Sequence, residues 1–173
     1  MWQRLSAAIM VALMPAIAWA ALDGTSGSAL PAPTGPVVLK VSGSIDRENS
    51  EDGVKLDWAT LESLGVTTLR TTTVWTVGEV EFEGVLARDV LDAVGAHGSE
   101  VVATALNDYA VTLPLNELYQ YPVLLAFKMN GEYLQVRDKG PLWIVYPRDQ
   151  FPELRNSMTD KKWVWQLSEL EVR

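Results

Sequence analysis

The spacing of apolar positions changes several times along the chain, and each change predicts an element. Val37 to Val41 alternates as a strand does and stops at the turn Ser42-Gly43-Ser44. Val54, Leu56, Trp58, Leu61 and Leu64 fall close to helical spacing, which predicts a helix over 54–64 with Gly65 as its stop. Val66 to Trp75 is rich in Thr and Val and suits a strand. Val80 to Phe82 reads as a short edge piece before a Glu83-Gly84 turn, and Val85 to Val94 as a helix ended by Gly95. Val101 to Leu106 and Tyr109 to Leu113 form a hairpin around Asn107-Asp108. Pro114 opens a short helix that ends near Tyr119. Val123 to Met129 is a strand, and Asn130-Gly131 turns it into a partner over Tyr133 to Val136. Leu142 to Tyr146 and Trp163 to Val172 complete the sheet. Many strands and few short helices, without a regular βαβ rhythm, predict an α+β fold with a mixed β-sheet core.

The first 20 residues depart from this pattern. Arg4 precedes an apolar run from Leu5 to Ile17, and Ala18-Trp19-Ala20 has the small-x-small form of a cleavage site. The run is shorter than the ~20 residues a membrane-spanning helix needs, and Pro15 interrupts it. The expectation is a signal peptide over 1–20, cut after Ala20, and export to the periplasm without membrane insertion of the mature chain. Residues 21–36, rich in Gly, Ser, Ala and Pro, predict a flexible leader, and residues 37–173 the folded domain.

Composition narrows the chemistry. The formal net charge is -8, so nucleic acid is repelled on average. The chain has no cysteine, which removes disulfides, a thiolate metal site and a cysteine nucleophile together. A single histidine, His97, leaves no cluster for zinc or iron, and its Gly-rich surroundings read as a solvated loop.

Three stretches stand out once the elements are drawn. They are Leu69 to Trp75 followed by Phe82-Glu83-Gly84-Val85; Phe127 to Gly131 running through Val136-Arg137-Asp138-Lys139-Gly140-Pro141-Leu142; and Lys161-Lys162-Trp163. In this order they resemble the molybdopterin-binding domain of the sulfite oxidase family, over roughly Val37 to Arg173. The resemblance implies that fold, and it puts the family's metal-binding cysteine within Thr71 to Thr73, at Thr72. Threonine supplies no thiolate for molybdenum. Where the resemblance implies a Gly-rich segment, this chain has Tyr146-Pro147-Arg148-Asp149-Gln150.

The sequence is most similar to a cysteine-less branch, the periplasmic pterin-binding proteins, which pass a pterin signal to a membrane-bound enzyme that makes or degrades cyclic di-GMP. That likeness implies a non-catalytic protein with a neopterin- or monapterin-like ligand, no molybdenum, and the periplasmic domain of an inner-membrane cyclic di-GMP synthase or phosphodiesterase as partner. A flat, uncharged pterin needs an aromatic or guanidinium plane on its face and hydrogen-bond partners at its edge. The residues this implies are Thr72, Thr73, Trp75, Asp108, Tyr109, Arg137, Asp138, Lys162 and Trp163. Each has a plainer reading as strand former, turn, ion pair or core. Two other functions stay open: an oxidoreductase subunit that holds a molybdenum cofactor without cysteine ligation, and a structural accessory protein.

Overall fold

The computed structural model describes residues 30–173, so the expected signal peptide lies outside the described residues. Ten strands form one curled, mixed sheet: β1 (Val37–Gly43), β2 (Val54–Asp57), β3 (Val66–Thr72), β4 (Glu79–Leu86), β5 (Glu100–Ala105), β6 (Ala110–Pro114), β7 (Leu124–Met129), β8 (Glu132–Tyr133), β9 (Leu142–Val145) and β10 (Trp165–Val172). Four short helices are inserted: α1 (Trp58–Ser63), α2 (Ala87–Val94), α3 (Leu115–Gln120) and α4 (Ser157–Asp160). The main order is β2-β1-β10-β9-β7-β4-β3, with β5 branching from β10 to β6 and β8 from β7. The first and last strands pair in parallel, Lys40 to Gly43 against Glu169 to Val172, while the other strand pairs are antiparallel. The expected α+β fold with a mixed sheet is therefore observed.

Several boundaries differ from the sequence expectation, for local reasons. The helix expected over 54–64 begins only at Trp58, because Val54 to Asp57 pairs with β1. Asp57 divides the two: its Oδ1 accepts from the Thr60 N–H at 3.0 Å and caps α1. Its Oδ2 accepts from the N–H groups of Thr34 and Gly35, at 2.7 and 2.9 Å, which ties down the last part of the stretch expected to be a flexible leader. Those bonds, Thr60 first, hold the Asp57 carboxyl far below its ordinary range.

Glu83-Gly84 is not a turn. It lies inside β4, between β3 and β7, at a register shift, and Val85 and Leu86 extend that strand. A Cβ on Gly84 would lie 2.2 Å from the Leu125 carbonyl oxygen, so the close approach of β4 and β7 requires glycine. The two hairpin turns form as expected, with Asp108 at φ 64°, and Asn130 and Gly131 at 52° and 81°. Only Glu132 and Tyr133 pair after the second turn, and the chain then loops to β9.

Every residue of β9 is buried, and Trp143, Tyr146, Phe82 and Phe127 are the bulkiest fully buried side chains. The buried side chains of α1, α2 and α3 join the same core. Among the described residues no helix is long and apolar enough to cross a membrane.

Candidate functional site

Five tryptophans fall in the described residues, and four of them gather where β9 and the start of β10 meet the loop after β3. Trp75 stands 5.6 Å, centroid to centroid, from both Trp163 and Trp165, and 6.2 Å from Trp143. Trp143 packs edge-on against Phe82 at 5.4 Å, which anchors the group in the core. Trp75 is not strand, as its Thr-rich context suggests, because β3 ends at Thr72. It leaves a tight loop in which the Thr73 hydroxyl oxygen accepts from the Trp75 N–H at 3.0 Å and lies 2.8 Å from the Thr76 hydroxyl.

A cavity of about 360 Å³ opens against these rings. Trp75, Trp163, Trp165 and Tyr109 form its apolar walls, with Ala105 beside them. Asn107, Asp160 and Lys161 supply polar groups. Tyr109 comes from the β5–β6 turn, and its hydroxyl donates to the Lys161 carbonyl at 3.3 Å, joining the hairpin to the segment before β10. Trp163 is buried, whereas Trp165 is half-buried and Tyr109 is half-exposed. The two tryptophans do not share a strand face as neighbours two apart, since β10 begins only at Trp165.

Behind Trp163 lies a buried polar layer. Lys162 turns away from the cavity to Glu117 on α3, at 2.5 Å, and Arg148 Nε faces Asp160 Oδ1 at 3.7 Å. Burial, followed by the nearby Glu117 carboxylate, pushes the Tyr146 hydroxyl far above the usual tyrosine range. The Trp163 indole N–H, Tyr146 hydroxyl, Arg148 Nε, Asp160 Oδ1 and Glu117 Oε1 are all buried without a hydrogen-bond partner.

The residues implied by the resemblance are thus distributed. Trp75, Tyr109 and Trp163 line the cavity, and Thr73 positions Trp75. Asp108 forms the turn beside Tyr109 and is not part of the wall. Arg137 and Asp138 lie at a separate shallow cleft with Met129, Glu132, Tyr133, Leu134 and Gln135. Asp138 is held by Lys139 at 2.9 Å. That loop still touches the site's frame, because Lys139 Nζ sits 5.5 Å over Trp143, and Gln166, next to Trp165, donates to the Lys139 and Val136 carbonyls. Asn107, Asp160, Lys161 and Trp165 complete the site, and no feature of the sequence marked Asp160 or Asn107 as lining it.

Thr72 belongs to the protein's own framework. Its N–H and its hydroxyl both donate to the Asp149 carboxylate, the hydroxyl at 2.9 Å, and the Asp149 N–H donates to the Thr71 hydroxyl oxygen at 3.2 Å. Burial raises the Asp149 carboxyl, but the Thr72 bonds together with Arg155 and Arg148 outweigh it and leave it below its ordinary value. The position that the resemblance gives to the metal-binding cysteine is thereby closed by a hydrogen-bonded carboxylate. The donor set does not fit a thiolate-held metal, since the chain has no cysteine. Among the described residues no group of three or more His, Cys, Asp or Glu side chains gathers to hold a metal.

Comparison with known proteins agrees with this architecture. Residues 40–168 match the oxidoreductase molybdopterin binding domain family model. Among solved structures, the chain is similar to the sulfane dehydrogenase SoxCD from Paracoccus pantotrophus, with a TM-score of 0.58 and 18% identity over 79% of this chain. The match spans only 38% of that protein's chain, so the likeness is one of fold. A search of curated protein sequences gave no match. The chain belongs to the oxidoreductase molybdopterin binding domain family, with a hydrogen-bonded threonine where the sequence resemblance locates the metal-binding cysteine.

Proposed function

We infer that this protein is an exported, non-catalytic pterin-binding protein that reports ligand occupancy to a membrane-bound cyclic di-GMP synthase or phosphodiesterase through that enzyme's periplasmic domain. The observation that carries the reading is the indole-walled cavity beside Trp75 and Trp163, in a domain whose family binds a pterin-based cofactor. Its volume of about 360 Å³ falls at the small end of the roughly 300–1,000 Å³ range of small-molecule sites. Flat apolar walls and a few polar groups suit a flat ring system with a polar edge. Stacking of a heteroaromatic ring on such a wall is worth about 1–3 kcal/mol per ring. Thr72 and Asp149, bonded to each other at the position that the resemblance gives to the cysteine, support a reading of binding without metal chemistry.

Signalling by such a module is a population shift. Ligand and partner prefer the same conformation, with a coupling of about 1–3 kcal/mol. The test is mass spectrometry and metal analysis of protein purified from its own host, with calorimetric titration of neopterin and monapterin. A co-purified pterin and saturable binding without metal are the expected results. Stoichiometric molybdenum would instead establish the oxidoreductase reading, and the absence of any pterin binding would leave a structural accessory role.

A further inference from the structure

One wall of the indole-lined cavity is shared with a second hollow. Where the chain leaves β5, Ala105 and Asn107 line the cavity, whereas Leu106 between them lines an apolar groove of about 500 Å³. The start of β10 divides in the same way. Trp165 lines the cavity, and the next side chain, Gln166, donates to the carbonyl of Val136, a groove residue, at 2.6 Å. The Leu106 N–H donates to the Gln166 carbonyl at 2.8 Å, which joins the two segments into one partition. Gln166 takes a φ of 53°, rare for a residue with a side chain. Its bonds to Leu106, Val136 and Lys139 hold it there.

The groove has the make-up of a protein contact surface. Val37, Leu106 and Val136 line it and are about half-exposed, and so is Tyr133 in the adjoining hollow. Trp58 and Leu134 belong to both hollows and join them into one open, elongated surface, which fits a segment of chain. Aromatic anchors among exposed apolar side chains are typical of interface centres. Charge narrows the occupant. The chain carries a net -8, yet no carboxylate lines the groove, and its one ionic side chain is Lys40. Lys40 pairs with Glu169 at 3.8 Å in solvent, a weak contact that exchanges readily for a partner's carboxylate. A second copy of this acidic chain is repelled on average.

We propose that the signalling partner docks in this groove through an apolar segment flanked by a carboxylate, and reads the cavity through the shared partition. This rests on the reading of the protein as a reporter and names the surface through which it reports. A guest seated against Trp165 and Asn107 fixes the partition, and with it the positions of Leu106 and Val136. Ligand and partner then tighten each other's binding by the same factor, about fivefold to 150-fold.

Photo-cross-linking of the full chain in its own host tests the surface. The photoreactive residue p-benzoylphenylalanine replaces Leu106 or Val136 in the groove, and Val66 on β3 or Tyr119 on α3 as exposed controls. The expected result is an adduct with one membrane protein that carries a cyclic di-GMP domain, from the groove positions alone. The purified periplasmic domain of that protein then binds Leu106→Asp and Val136→Asp at least about tenfold more weakly than the native chain. Calorimetry finds the pterin affinity of both variants within about threefold of native. That adduct from the control positions, alone or as strongly as from the groove, overturns the surface while the reporter reading stands. Groove adducts that join only two copies of this chain overturn the choice of partner. Native partner affinity in either folded variant also overturns the assignment. If no position captures such a membrane protein, the reporter reading itself fails and this assignment with it.

Discussion

The end of β3 and the cavity a few residues further along use polar groups in opposite ways. At the Thr72–Asp149 junction the carboxylate is met by an N–H, a hydroxyl and two arginines, and the Asp149 N–H finds the Thr71 hydroxyl. Around Trp163 an indole N–H, a phenol, a guanidinium nitrogen and two carboxylate oxygens are buried with no partner. Buried polar groups that are satisfied hold a structure together, whereas unsatisfied ones mark where something else belongs. The position that the resemblance gives to the metal is therefore framework here, and the site proposed for the ligand lies next door, on the aromatic side.

Four substitutions break or sharpen that contrast. The largest effect is expected from Trp163→Ala. It removes a buried indole from the shared wall, costing about 3–5 kcal/mol of stability in denaturant melts, and weakens pterin binding about tenfold to a hundredfold by calorimetry. Asp149→Ala strands the Thr72 donors and Arg155, with an expected loss of about 2 kcal/mol in the same melts. Affinity for pterin stays within about threefold, because no ligand contact is removed; a collapse of affinity in a folded Asp149 variant would place the ligand at the old metal position after all.

Asp57 is a second satisfied group, and its effect is read with pH. Its carboxyl is depressed in the folded protein, so the stability it supplies is complete above the ordinary carboxyl pKa of about 4 and fades as pH falls through and below that value. Asp57→Asn is expected to flatten this acid limb of the stability curve, measured as midpoint against pH. The smallest effect belongs to Arg137→Ala, whose side chain lies at the other cleft. Stability should change by no more than about 0.5 kcal/mol and pterin affinity by less than about twofold. A tenfold loss would move the site toward the Arg137 loop.

Much of the fold was legible in the sequence because its signals are local. Asn130-Gly131 and Asn107-Asp108 specify their turns through residues that tolerate positive φ, and Gly95 ends α2 at φ 67°. Expectation failed where pairing across the sheet overrides local spacing. Val54 and Leu56 fit a helix by count but belong to β2, and the apparent Glu83-Gly84 turn is strand, set opposite a register shift at Phe127 of β7, with glycine allowing the close approach. The same limit applies to the site. Trp75, Tyr109 and Trp163 could be proposed because a family motif or a turn marked them. Asp160 could not, since it lines the cavity only because three distant segments meet there. Arg137 and Asp138 follow the strong hairpin in sequence, yet the chain turns at Gln135 to Gly140 and presents them at another cleft.

The clustering of indoles has an optical consequence. Trp75 stands about 6 Å from each of Trp143, Trp163 and Trp165, and Trp143 about 6 Å from Trp163, so these contacts link all four indoles and excitation absorbed by one can pass along them. A guest that absorbs in the near ultraviolet, seated against one ring, drains the light of the whole group. Trp58 packs instead against Phe127 and Tyr133, outside that chain of indole contacts.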